Sequence, residues 1–171
     1  MYQRVLVPID GSMTSNAALD EAIRLARLTG ARLRLFHLMD PMKFANGFET
    51  GAVYVSDVLP LLRQHGRQLV EEANARAAAA GIEVDGALHE DFAGPLAELV
   101  IAEAAQWGAD LIVIGTHGRR GIGRWVLGSD AEQILRLARV PVLLVRSPKG
   151  EAADQSRMAS SACEEGVAAA A

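Results

Sequence analysis

Cysteine is almost missing from this chain of 171 residues, with Cys163 as its only example. One thiol forms no internal disulfide and no cysteine-based metal site, and its place in the tail argues against a catalytic nucleophile. Long apolar runs are missing too, because no stretch reaches the roughly 20 residues that cross a membrane. Asp10 ends the first apolar run, so we expect no signal peptide. We therefore expect a cytoplasmic protein without membrane contact.

The chain also has no excess of basic residues, since 17 Lys and Arg stand against 21 Asp and Glu. Nucleic-acid binding surfaces are usually basic, so we expect no nucleic-acid partner. Half of the residues are hydrophobic, which is enough for a chain of this length to bury a core. We predict one folded domain over residues 1–147 and a flexible tail over residues 148–171, where large apolar side chains are rare.

Apolar residues alternate along the chain between the spacing of strands and that of helices. Helix patterns end at Gly30, Gly81 and Gly108, and Pro95 suits the first position of a helix. The branched run at 111–114 indicates a strand buried on both faces. The order predicts a three-layer, Rossmann-like α/β fold: an open, five-stranded, mostly parallel sheet with helices on both faces. The predicted strands are 2–9, 32–39, 82–90, 111–114 and 140–146, and the predicted helices are 14–29, 58–80, 95–107 and 130–138.

The last predicted strand begins at Val140, ends at Arg146 and contains Pro141. Proline cannot donate a backbone hydrogen bond and is confined largely to edge strands. An apolar edge strand pairs readily with another chain. We therefore predict a homodimer joined through this strand, since a second copy is the simplest partner.

Glycines and arginines are concentrated in residues 115–132, GTHGRRGIGRWVLGSDAE, directly after the fourth strand. Glycine lets backbone amides approach a ligand, successive amides form an anion nest, and the helix N-terminus that follows favours anions. Ligands of open α/β sheets bind beyond the carboxyl ends of the strands, where residues 8–12 also fall. A phosphate-bearing ligand fits these features, and local positive charge comes from His117, Arg119, Arg120 and Arg124.

The same loop has a plainer interpretation. Glycines can serve turns alone, loop arginines are commonly solvated, and Ser129 with Glu132 fits an ordinary helix capping box. The segment lacks the ending of a P-loop and is not the dinucleotide fingerprint that follows a first strand. From these residues alone, a phosphate site and a structural loop both stay open.

The spacing of Gly115, Gly118, Gly128 and Ser129 resembles the nucleotide-binding signature of the universal stress protein family, in its ATP-binding branch. The opening RVLVPIDGS and the closing PVLLVR are similar to that family's first and last strands, so the resemblance extends over residues 2–146. It implies an adenine nucleotide α-hydrolase-like fold, a homodimer joined through the last strand, and a stress-response role that depends on ATP.

The resemblance also implies a place for each part of ATP. Pro8, Ile9 and Asp10 would lie against adenosine, with Asp10 as the polar contact, and Leu38 would pack on adenine. Mg²⁺ would accompany the triphosphate, held mainly by its oxygens. Ribose and phosphates would be held by Gly115, Gly118, Gly128 and Ser129, with Thr116, His117 and Arg119 lining the same loop.

Asp130 departs from the family, in which many members have a small apolar residue at this position. At the first helical position an acid suits the helix dipole. Its negative charge near the phosphates would either weaken ATP binding or engage a metal ion. The sequence alone leaves these two outcomes open.

The expected function is a nucleotide-dependent regulator or adaptor with unknown protein partners. Asp10 and His117 are the only obvious bases near the loop, and neither has a recognisable orienting partner. Slow ATP hydrolysis, or autophosphorylation at Ser129, is one alternative. A nucleotide-free dimeric adaptor is another, and an enzyme proper would need an acid–base or metal constellation that the sequence does not display.

The remaining polar and aromatic residues favour structural roles. We expect His37 to be a hydrogen-bonded core histidine, Ser12 to cap the first helix, and Trp107 and Trp125 to pack. His65 and His89 have no partner cluster that would predict a metal site. The long loop over 40–57, with its three aromatic residues, fits either a lid or a simple connector.

Overall fold

The computed structural model describes residues 1–39, 59–90, 94–116 and 127–146. The predicted 40–57 loop, the glycine-loop residues His117, Gly118 and Arg119, and the predicted tail lie outside the described residues. Within them the elements in chain order are β1 (Arg4–Pro8), α1 (Met13–Thr29), β2 (Arg32–Met39), α2 (Leu59–Ala79), β3 (Val84–Glu90), α3 (Leu96–Trp107), β4 (Leu111–Gly115), α4 (Ser129–Leu137) and β5 (Val142–Val145).

The five strands form one sheet in the order β3-β2-β1-β4-β5, and every neighbouring pair is parallel. Parallel neighbours require crossover connections, and helices supply them. This confirms the predicted Rossmann-like fold, with a sheet that is entirely parallel. β1 lies at the centre, between β2 and β4, and β5 lies at the edge as its proline predicted.

Helices cover the sheet on both faces and divide the core into two layers. On one face Val5 and Val7 of β1 pack with the apolar sides of α1 and α2. On the other face Leu6 packs with α3 and α4. Successive side chains of a strand point to opposite faces, so a central strand between two helix layers needs apolar residues throughout. β4 satisfies this requirement, as does β1 from Val5 onward, and the prediction of a doubly buried strand at 111–114 is confirmed.

Several predicted boundaries were wrong by one or two residues, and two of the errors involve proline. Pro95 is the N-cap of α3, with an extended backbone, rather than its first helical residue. Pro141 precedes β5 instead of lying within it, although its carbonyl still accepts a hydrogen bond from Ile112 of β4. The ladder therefore begins before the strand does, because an acceptor needs no N–H group.

A buried carboxylate lies where α3 meets the sheet. Glu103 is only 4% exposed, and its Oε1 lies 2.6 Å from Arg34 Nε of β2. The N–H direction does not satisfy hydrogen-bond geometry, so this contact is an ion pair rather than a well-formed hydrogen bond. His89 Nε2 of β3 lies 3.3 Å from the other carboxylate oxygen. No helix among the described residues is both long enough and apolar enough to cross a membrane.

Candidate functional site

The strand order reverses between β1 and β4, whose connections leave in opposite directions across the sheet. At such a point the loops beyond the carboxyl ends diverge and leave a crevice, where ligands of open α/β sheets bind. Pro8 is the last residue of β1, and Gly115 is the last residue of β4. The two segments predicted to bind ligand therefore follow the two strands that flank the reversal.

The turn from Ile9 to Ser12, called the β1 turn below, is held by hydrogen bonds to its own side chains and to α1. Asp10 Oδ1 accepts the amide of Ser12 at 2.9 Å, and the amide of Asp10 donates to Ser15 Oγ at 3.1 Å. Gly11 has a φ of +78° between them, a conformation that side chains rarely adopt. Asp10 is thus fixed in position before any ligand arrives.

Ser12 ends this turn and begins α1. Its hydroxyl accepts the amide of Ser15 at 3.2 Å, which confirms that it is the N-cap. The prediction that Ser12 serves as the cap is therefore correct. Sequence reasoning missed Ser15, which is buried and receives the Asp10 amide. Three hydroxyl residues lie within positions 12–15, and only the folded backbone distinguishes their roles.

The end of β4 leads to the N-terminus of α4. Thr116 is buried, and its amide donates to Val145 of β5 at 2.9 Å. Its carbonyl accepts the amide of Gly128 at 2.9 Å. This bond places the first residues of α4 directly beside the end of β4, so the two ends of the predicted glycine loop meet.

Gly128 is the N-cap of α4, and Ser129 is its first helical residue. The predicted capping box was wrong, because it needs Ser129 at the cap and glycine has no side chain to fill that role. Asp130 is consequently the second helical residue rather than the first. The amides of a first helical turn have no partner inside the helix, and together with the dipole they favour an anion.

Gly115 packs the end of β4 against the start of α1. A Cβ added at Gly115 would lie 2.7 Å from the carbonyl carbon of Thr14 and 2.8 Å from its oxygen. Only glycine permits this approach, because neither backbone can move aside without moving a whole element. The β1 turn, the end of β4 and the N-terminus of α4 therefore meet in one place.

The other predicted residues occupy both the interior and the surface of this region. Pro8 and Ile9 are buried, Asp10 and Gly128 are half-buried, and Ser129 and Asp130 are exposed. Leu38, near the end of β2, is half-buried and packs against the α3 and α4 layer. The structure thus brings together the predicted residues that it describes at one edge of the sheet.

His37 and His89 have structural partners. His37 is buried, and its Nδ1 lies 2.7 Å from the carbonyl oxygen of Ile9, which confirms the prediction of a hydrogen-bonded core histidine. His89 contacts Glu103, and its ring packs on Phe36 with centroids 4.7 Å apart. Trp107, half-buried at the end of α3, packs against the core as predicted.

A groove of about 270 Å³ lies between α1 and α2, beside the β1 turn. Ile9, Leu19, Leu69 and Ala73 contribute its apolar lining. Gly11 and Ser15 of the turn region also line it. Polar side chains at its rim include that of Arg76, which forms hydrogen bonds with Asn16 and Asp20.

A doubly wound parallel sheet, with a polar turn, a close-packed glycine and a helix N-terminus at its point of reversal, defines a Rossmann-like α/β protein. The sequence profile of the universal stress protein family matches residues 1–146. The chain belongs to this family.

Individual relatives support the same assignment. The chain is 31% identical to the universal stress protein YxiE of Bacillus subtilis over 151 residues, which cover 85% of this chain and all of the relative. A crystal structure of a universal stress protein family member from Burkholderia pseudomallei is 35% identical, with a TM-score of 0.67, over 84% of this chain and 96% of the other. A universal stress protein in complex with cAMP is 27% identical, with a TM-score of 0.59, over 85% of this chain and 98% of the other.

Proposed function

We propose that this universal stress protein binds ATP with Mg²⁺ at the β1–β4 reversal and acts in the cytoplasm as a nucleotide-dependent regulator or adaptor of the stress response. The relative in complex with cAMP supports an adenine nucleotide as the ligand class. The family profile covers the whole candidate site. ATP is chosen because the glycine spacing resembles the signature of the family's ATP-binding branch.

The observation that carries this proposal is the placement of the α4 N-terminus. The hydrogen bond from Gly128 to Thr116 sets the first turn of α4 beside the end of β4. Helix amides and the helix dipole at such a point bind phosphate without needing a basic side chain. We assign the ribose and phosphates to Gly115, Gly118, Gly128 and Ser129, with Thr116, His117 and Arg119 lining the same loop.

The β1 turn would hold the nucleoside. Asp10 already accepts the Ser12 amide through one oxygen, and a carboxylate has capacity for several donors, so it can also accept a ribose hydroxyl or an adenine amino group. Pro8 and Ile9 give the turn a rigid apolar base, and Leu38 supplies the apolar surface for adenine. Nucleoside and phosphates would then lie on adjoining elements.

Asp130 separates two versions of the proposal. Its exposed carboxylate at the second position of α4 lies one residue from the proposed phosphate contact Ser129. If the carboxylate repels the phosphates, Asp130→Asn tightens ATP binding measured with EDTA. If it engages Mg²⁺ instead, the same substitution weakens Mg²⁺-ATP binding and leaves ATP binding in EDTA unchanged. Isothermal titration with and without Mg²⁺ distinguishes these outcomes.

Gly128→Val tests the phosphate site directly. Gly128 has a φ of −58° and a ψ of 143°, which valine adopts readily, so a loss of binding would reflect the added side chain rather than backbone strain. We expect Mg²⁺-ATP affinity to fall at least about tenfold, since each tenfold corresponds to about 1.4 kcal/mol. Ile134→Ala is the control, because it removes a buried side chain of the same helix away from its N-terminus.

The outcomes separate the candidate functions. Unchanged nucleotide affinity in Gly128→Val would show that the phosphate site is misplaced. Wild-type protein that carries no nucleotide after purification and takes up none would favour a nucleotide-free dimeric adaptor. Conversion of bound ATP to ADP, or labelling of Ser129 from γ-labelled ATP, would favour the slow ATPase or the autophosphorylating protein.

A further inference from the structure

We propose that His37 is a positioning residue that holds the β1 turn in its ligand-binding geometry from the end of the neighbouring strand β2. The inference rests on the proposed nucleotide site and deepens it, because it names a residue that acts on Asp10 without touching ligand. The observation behind it is the 2.7 Å contact between His37 Nδ1 and the carbonyl oxygen of Ile9.

The backbone of Ile9 is tied to β2 on both sides. Its amide donates to the carbonyl of Phe36 at 2.8 Å, and its carbonyl receives the imidazole of the next residue, His37. Ile9 lies beyond the end of β1, where the regular ladder no longer supplies a donor for this carbonyl. The His37 side chain therefore extends the pairing of β1 with β2 by one peptide group.

This hydrogen bond fixes the orientation of the peptide group that precedes Asp10. The Ile9 carbonyl and the Asp10 amide belong to the same peptide plane, which is rigid. His37 holds the carbonyl end of that plane, and Ser15 Oγ holds the amide end at 3.1 Å. With both ends of the peptide group fixed, Asp10 is held at the carboxyl ends of the strands, where the ligand is proposed to bind.

The ring of His37 is itself held between α2 and β3. A Cβ added at Gly66 of α2 would lie 3.4 Å from Cδ2 of His37 and 3.6 Å from Nε2, so the helix backbone approaches the distal edge of the ring. The same Cβ would lie 3.0 Å from Leu88 of β3. A carbonyl oxygen only accepts hydrogen bonds, so the hydrogen on Nδ1 points at Ile9. The imidazole thus packs against α2 near Leu88 of β3 on one side and bonds to the β1 turn on the other.

Two substitutions at this position separate the hydrogen bond from the packing. His37→Asn keeps an N–H donor near the position of Nδ1 and removes the distal part of the ring. His37→Leu keeps apolar volume and removes the donor. Leu33→Ala, on the same strand and fully buried, is the control for general loss of stability, because Leu33 pairs with Val5 far from the turn.

We expect the exchange of the Asp10 and Ser12 amide hydrogens to become about tenfold faster in His37→Leu than in Leu33→Ala when the two are compared at equal global stability. Mg²⁺-ATP affinity, measured by calorimetry where all variants are folded by circular dichroism, should fall about tenfold in His37→Leu. His37→Asn should restore both quantities to within about threefold of the wild type. Leu33→Ala should lower the melting temperature without changing affinity.

Two results would overturn the positioning role. The first is wild-type-like amide exchange at Asp10 and Ser12 in His37→Leu. The second is equal loss of affinity in the leucine and asparagine variants, which would assign the effect to packing. If the wild-type protein binds no nucleotide, the nucleotide proposal fails alone, because the exchange measurement still tests whether His37 holds the turn.

Discussion

Gly115 and Thr14 are in close backbone contact, although 101 positions separate them in the chain. A side chain at Gly115 would overlap the Thr14 peptide, which also follows the N-cap of α1. The contact fixes how closely the start of α1 packs against the end of β4. It thereby sets how the β1 turn and the N-terminus of α4 face each other, and the candidate site depends on it.

Gly115→Ala should therefore destabilise the protein by about 3 kcal/mol, at the upper end of the usual range for overpacking, because backbone rather than a flexible side chain must move. Chemical denaturation measures the change. Gly94→Ala is the matched control, since its Cβ would meet only Leu99 at 4.0 Å, and its free energy of unfolding should change by less than about 0.5 kcal/mol. Equal effects of the two substitutions would contradict the packing role.

Asp10→Ala should lower nucleotide affinity by about tenfold or more and stability by about 1 kcal/mol, because both a proposed ligand contact and the bond to Ser12 are lost. Asp10→Asn keeps an acceptor for Ser12 and should keep stability, while the loss of charge weakens binding. Calorimetry and denaturation give the two quantities.

Asp110→Ala is the control for the Asp10 series. Asp110 accepts the amides of Gln3 and Arg4 at 2.7 and 3.0 Å, at the opposite edge of the sheet. Its substitution should reduce stability and leave affinity unchanged. Nucleotide binding by Asp10→Ala at the wild-type affinity would remove Asp10 from the site.

Arg34→Met should cost about 3 kcal/mol, because it removes the guanidinium that pairs with the buried Glu103 carboxylate. In a Glu103→Gln background the same substitution should cost much less, which gives a coupling energy of about 2 kcal/mol in a double-mutant cycle. The exposed pair Arg32–Glu83, at 2.9 Å, should show a coupling below about 1 kcal/mol. Similar coupling energies for the two pairs would mean that the burial of Glu103 does not strengthen its ion pair with Arg34.

Leu143→Lys should convert the proposed homodimer to a monomer without changing nucleotide affinity. Leu143 lies in the edge strand β5 and is 37% exposed, and a charge on an edge strand opposes pairing with a second copy. Sedimentation velocity measures the assembly state. Leu28→Lys should leave the dimer intact, because Leu28 lies near the end of α1 and is already 79% exposed. A wild-type protein that is monomeric at micromolar concentration would contradict the predicted dimer.

The helices and strands were largely predictable because their signals are local. β2 begins and ends where the apolar spacing predicted, and α1 ends at Gly30 as expected. The start of α4 could not be predicted in the same way, since both glycine and serine serve as N-caps. The structure distinguishes them through the hydrogen bond from the Gly128 amide to the Thr116 carbonyl, a contact that the sequence does not show.

Glu103 shows what a closer sequence analysis could have found. It follows Ala97 and Val100 at helical spacing, in phase with the buried stripe of α3. That phase predicts burial, and burial of a carboxylate requires a partner. Its partners, Arg34 and His89, were not predictable. They lie on β2 and β3, and the strand order of the folded sheet places both beside Glu103.

Fold class, family and the segments that carry the candidate site could be predicted from the chain alone, because periodicity and glycine spacing are properties of short stretches of chain. The folded chain was needed to see that Gly115 meets Thr14, that His37 contacts Ile9, and that Gly128 rather than Ser129 caps α4. Each of these features depends on a contact between residues that lie far apart in the chain. Their geometry follows from how two helix layers pack on one twisted sheet, which no local pattern encodes.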